Sequence, residues 1–184
     1  MPTSRPSSSL SRPSSPSSPS SPSRRSTPRA TRVETAQVVL PGLTNVHGTI
    51  FGGILMQWID GAAGISAARH AGGLVVTASM DRLHFLRPAR LGDVVIVQAQ
   101  VNFAARSSME IGVRVFAENQ LTRERVQATR AYLTFVAVDD QGRPREVPPL
   151  HLESDADQRR FREARARRAV RLRERRAMNR RHDT

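Results

Sequence analysis

The sequence predicts an α+β domain in which a curved antiparallel sheet of five to six strands wraps one long central helix. Three observations predict it. The stretch "GGILMQWIDGAAGISAARH" carries apolar residues at helical spacing, with small residues filling the positions between them. Within residues 33–150 the other ordered-looking segments are short, β-branched and of period two. The connections between the later strands are too short for crossover helices, so those strands pair antiparallel as a meander.

The elements follow in order. "VETAQVVLPG" is a short strand closed by Pro-Gly. The helix is expected from about Gly52 to His70, stopping at "AGG". Phe51, Leu55, Trp58, Ala62 and Ile65 recur along one of its faces. Gly53, Met56, Asp60, Ala63, Gly64 and Ala67 share the opposite one. That second face is small rather than polar, which predicts a helix buried nearly all round and a unit completed by a partner subunit. "LVVTASM" is the next strand. In "DVVIVQAQVNFAA", Val94, Ile96 and Gln98 alternate with Val95, Val97 and Ala99; "SMEIGVRVFAE" and "RVQATRAYLTFVAV" continue the pattern.

Charge divides the chain of 184 residues into three parts. Residues 1–32 hold six Arg and no acid, residues 33–150 hold 11 Arg and 10 acids, and residues 151–184 hold 12 Arg and 6 acids. The net +13 therefore belongs to the ends. Segment 1–32 is dominated by Ser and Pro, buries almost nothing and is expected to be disordered. It lacks the apolar stretch of a secretory signal, and a cytoplasmic location is expected. Segment 151–184 is rich in helix formers, without Pro or Gly. Its plain reading is a solvated helix; its sharper one is a basic helix for nucleic acid, an anionic membrane or another acidic partner, which the near absence of aromatics disfavours. Cysteine is absent, excluding disulfides and thiolate chemistry, and all 29 basic residues are arginine, excluding a lysine Schiff base or P-loop lysine.

Five stretches, "HGTIFGGILMQWID", "ARHAGGLVVTASMD", "FLRPARLGDVV", "SSMEIGVRV" and "RAYLTFVAVDDQGRPREVPPL", resemble in order the acyl-CoA thioesterases of the hotdog fold, above all the bacterial and brain-type cytosolic acyl-CoA hydrolases. The resemblance covers residues about 36–150 and gives nothing to either end. It implies hydrolysis of a fatty-acyl–CoA thioester without cofactor or metal, CoA entering only as part of the substrate. It also implies a homodimer, with trimers of dimers common, and a site between the loop before the helix of one chain and the helix of the other. Gly52 and Gly53 fall at the helix start. Their free N–H groups and the helix dipole suit an oxygen that becomes negative, with Gly53 the leading oxyanion donor; a tight turn alone would also explain them.

Asp60 matches the family's helix carboxylate and is expected to be the base or the nucleophile, with a structural ion pair to an arginine as the competing explanation. Many relatives carry Asp or Asn where this chain has Thr49, which cannot act as a base at neutral pH. Asn45 or His47 is left to orient the water. Arg106, Ser107 and Ser108 in the "ARSSME" turn, with Arg87 and Arg90, are the candidates for CoA contacts. Two other functions are weighed: a hotdog enoyl-CoA hydratase, which wants a His–Asp pair that only His47 could supply, and a non-catalytic acyl-CoA or nucleic-acid binder.

Overall fold

The computed structural model of the protein describes residues 26–182. The expected disorder of residues 1–25 lies outside the described residues. Five strands form one antiparallel sheet: β1 (Val33–Val38), β2 (Val75–Met80), β3 (Val94–Ala104), β4 (Ser108–Glu118) and β5 (Arg125–Ala137), in spatial order β1-β3-β4-β5-β2. The expected meander is β3-β4-β5, joined by short turns, with Val97 opposite Val115 and Val115 opposite Thr129. The flanking places of β1 and β2 are tertiary outcomes that strand periodicity does not encode. Each of them pairs on one side only.

Helix α1 (Gly52–Ala71) lies across one face of the sheet. Gly72 ends it at φ +66°, a left-handed conformation that glycine takes without strain. Its core stripe is Leu55, Ile59, Ala62, Ala63, Ser66, Ala67, His70 and Ala71. It packs on the odd-numbered side chains of β3, Val95, Val97, Ala99 and Val101, and on Ile111, Val113 and Val115 of β4. This corrects the expected face assignment. Phe51, Met56 and Ile65 are exposed, so within one chain the helix is buried along one stripe rather than all round. Alanine and glycine at so many positions blur the period that would have oriented it. With small side chains on both sides, packing rather than pattern selects the inner face.

Helix α2 (Asp155–His182) covers part of the opposite face of the sheet. Ser154 starts it: its Oγ accepts from Asp157 N at 3.2 Å, and Asp157 Oδ2 accepts from Glu153 N at 3.4 Å. Ala164 is fully buried, and Phe161 stacks on Phe103 with ring centroids 4.9 Å apart. Glu110, only 1 % exposed, accepts Arg167 Nη2 at 2.7 Å and Arg171 Nη2 at 2.8 Å. Arg171 Nη1 also reaches Asp81 Oδ2 at 2.7 Å, and the Arg167 guanidinium sits 3.7 Å from the Tyr132 ring centroid. A solvated helix is therefore the wrong description of residues 157–171. The arginines that look like surface charge in the sequence find a carboxylate placed on the outer sheet face by β4.

Residues 26–32, expected to be disordered with the rest of their segment, are ordered as well. Thr31 is buried, its Oγ1 donating to Pro28 O and accepting from Val101 N at 3.1 Å. Ser26 O accepts from His151 N, and Ser26 Oγ pairs with His70 Nδ1 at 2.9 Å. No described helix is long and apolar enough to cross a membrane.

Candidate active site

The loop before α1 is organised by Asn45. Its Oδ1 accepts from His47 N (2.9 Å), Thr49 N (3.3 Å) and Thr49 Oγ1 (3.2 Å), while its Nδ2 donates to Thr49 Oγ1 at 3.0 Å. Asx-type bonding of this kind replaces a backbone turn, and Gly48 at φ +69° completes it. Asn45 and Thr49 thus hold each other, and His47 points from an exposed position with no side-chain bond among the described residues.

The chain then enters α1 through Phe51, whose side chain makes no capping bond. The N–H groups of Ile54 and Leu55 both turn back to Phe51 O. Those of Gly52 and Gly53 have no partner among the described residues, so two donors remain free at the positive end of the helix. Glycine at 53 lets the Phe51 ring lie against the backbone: a Cβ there would come within 2.8 Å of Phe51 Cε1 and push the exposed ring aside. The aromatic ring closes over that backbone only because residue 53 has no side chain.

Asp60 lies two turns further along the same helix face. Its Oδ1 accepts from Thr77 Oγ1 on β2 at 2.9 Å. It is half-buried, and no ion pair from its own chain reaches it among the described residues. Thr77 was not singled out from the sequence. A hydroxyl in a β-branched strand is common, and only the packing of β2 beside α1 aims it at the carboxylate.

The other candidates divide between the two ends of the sheet. Arg90 is bridged through its backbone to Thr49, beside the loop, and Arg87 N donates to Ala128 O nearby. Both side chains are exposed. Arg106, Ser107 and Ser108 form the β3–β4 turn at the opposite end, where Ser108 pairs with Val136 and Ser107 O accepts from Ala137 N. One chain therefore does not bring the two groups together. Among the described residues there is no group of three or more His, Asp or Glu fit to hold a metal.

Residues 47–124 match the model of a family described as the thioesterase superfamily. An acyl-CoA thioester hydrolase of Bacillus subtilis is 43 % identical over 129 residues, covering 70 % of this chain and 75 % of that protein. The chain belongs to the thioesterase superfamily. It shares the hotdog fold with solved members. An acyl-CoA hydrolase from Staphylococcus aureus, in complex with butyryl coenzyme A, coenzyme A and coenzyme A disulfide, superposes with a TM-score of 0.75 at 35 % identity, over 85 % of this chain and 98 % of that one. A hexameric acyl-CoA thioesterase superposes at 0.79 and 38 % identity, over 82 % and 97 % of the two chains. Alanine variants of the Staphylococcus enzyme at an aspartate, a threonine and an asparagine have also been solved. This thioesterase spans only 35 % of the mouse cytosolic acyl coenzyme A thioester hydrolase, to which it is 36 % identical over 132 residues.

Proposed function

We propose that this thioesterase hydrolyses an acyl-CoA to a free acid and CoA, and that each site takes its oxyanion donors from one subunit and Asp60 from the other. The observation that carries the reading is the separation of the two halves along α1. Asp60 follows Gly53 by seven residues, a rise of about 10 Å. An aspartate side chain cannot close that gap, so an acyl carbonyl held by the Gly52 and Gly53 N–H groups is out of reach of its own chain's carboxylate. A two-fold dimer brings the end of one helix to the middle of another. The exposed Phe51, Met56, Ile65 and Val76 and the open edge of β2 supply apolar area and backbone groups for that contact.

In this mechanism Thr77 holds Asp60 Oδ1 and leaves Oδ2 to take a proton from water. The water oxygen attacks the acyl carbon, and the carbonyl oxygen becomes an oxyanion stabilised by the two glycine N–H groups. The C–S bond then breaks, and the thiol leaves with the proton carried by Asp60. Asn45 and Thr49 shape the loop that delivers the carbonyl. Asp60, Thr77 and Asn45 are the same three residue types as those replaced in the Staphylococcus enzyme, which supports this grouping. This reading assigns the CoA contacts to Arg87 and Arg90 from one subunit and Arg106, Ser107 and Ser108 from the other, and assembly of dimers into a hexamer is in keeping with the solved relatives. A cytoplasmic site of action is in keeping with the mouse cytosolic relative.

Thiol release measured on acyl-CoAs from acetyl to palmitoyl tests the activity; no release with any of them would refute it. The composite site has its own test. Subunits carrying Gly53→Val are mixed with subunits carrying Asp60→Asn, each nearly inactive alone. Heterodimers should regain activity, because one of their two sites has both halves intact. Confirmed subunit exchange without recovery would place each site within one chain.

A further inference from the structure

Between α2 and the outer face of the sheet lies a polar chamber of about 580 Å³, across the sheet from Asp60. This is the volume of a small-molecule site. Its floor is built from β3, β4 and β5, its lid from α2, and one edge from the segment that leads into β1. Cations outnumber the carboxylates available to them. Arg32 Nε and Arg114 Nη2 donate only to neutral amides, Gln100 Oε1 at 3.1 Å and Gln98 Oε1 at 3.2 Å. The Arg130 guanidinium has no bond among the described residues. Of the two carboxylates on the wall, Glu34 accepts from Gln98 and Glu163 lies 3.8 Å from Arg159.

The walls of the chamber also hold polar atoms that have no partner among the described residues. Asn102 is 4 % exposed and its Oδ1 has no partner. Gln100 Nε2 and Arg160 Nε are likewise buried and unbonded. Each such group is costly to bury without a hydrogen bond. Gly112 secures the arrangement, since a Cβ there would overlap the Asn102 carboxamide. A merely structural face would be expected to fill this space with apolar side chains.

We propose that the chamber binds a small phosphate-bearing anion. The guanidinium groups of Arg32, Arg114 and Arg130 take the phosphate oxygens, since planar forked donors match them. Because α2 is the lid, an occupant bridges the helix to the sheet. This site does not depend on the hydrolase reading.

Calorimetric titration of the full chain with inorganic pyrophosphate, at low ionic strength, tests the proposal. Three proteins are compared: wild type, Arg114→Gln/Arg130→Gln, and Arg175→Gln/Arg176→Gln as a control for loose binding to the basic end of α2. The two chamber arginines are exposed residues of strands, so the double variant should fold, and an unchanged kcat for thioester cleavage checks that. The expected result is one saturable site per chain in wild type and in the α2 control, with affinity at least tenfold weaker in the chamber variant. Absence of saturable binding in wild type would overturn the proposal, leaving a water-filled chamber. So would equal affinity in the chamber variant, or a larger loss in the α2 control.

Discussion

Glu110→Gln should release the C-terminal helix from the sheet. The carboxylate is 1 % exposed and accepts both oxygens' worth of guanidinium bonds, from Arg167 at 2.7 Å and Arg171 at 2.8 Å. Removing one partner from a buried ion pair costs about 3–5 kcal/mol, because the remaining charges stay desolvated. Here the lower end applies. The Arg167 and Arg171 side chains keep 24 % and 18 % exposure, so they can turn partly into water, and Arg171 retains Asp81. A loss of about 3 kcal/mol corresponds to a fall in Tm of roughly 6–12 °C for a chain of this size. Thermal melts and urea titrations measure it, and limited trypsin digestion locates it, since α2 offers many arginine cleavage sites. The variant should be cut within residues 159–176 much faster than wild type. Replacing all three residues at once, Glu110→Met with Arg167→Met and Arg171→Met, should recover most of the stability, as apolar groups of similar volume often match a buried ion pair. An unchanged Tm and an unchanged digestion pattern in Glu110→Gln would refute the clasp.

Asp60→Asn keeps shape but removes the proton acceptor, and kcat should fall by roughly 10²–10⁴-fold while acyl-CoA still binds; a folded variant with wild-type kcat would take Asp60 out of the mechanism. His70 gives a pH dependence of stability. Burial lowers its pKa from 6.5, against a smaller opposing effect of the hydrogen bond to Pro148 O, so the folded state prefers the neutral ring. The unfolded state then binds more protons just below that value, so stability should be full above about pH 6.5 and decline as pH falls towards the lowered folded-state pKa. Melts from pH 7.5 to 5 should show that slope in wild type and lose it in His70→Gln. Finally, no residue proposed for the thioester site lies on α2. Residues 33–150 alone should therefore fold, less stably, and keep kcat; an insoluble or inactive core would make α2 part of the folding unit.

What the sequence determined by itself was set by local rules. The limits of α1 are marked by its glycines: Gly52 and Gly53 at the start, Gly72 at a stop that needs positive φ. The strands were legible because alternation of apolar and polar residues is a local pattern, and the order of motifs from 47 to 150 was enough for the family. Asp60 was visible as an acid among small residues. Tertiary structure decided the rest, because the deciding partners are remote in the chain. Which stripe of α1 faces the core could not be read from a helix whose two faces are both small. Thr77 becomes a partner of Asp60 only when β2 takes the sheet edge beside the helix. Glu110 looked like one polar step in an alternating strand, and Arg167 and Arg171 like two charges in a basic run. Their meeting across 57 and 61 residues of sequence turns the C-terminal helix from a solvated appendage into the roof of the polar chamber.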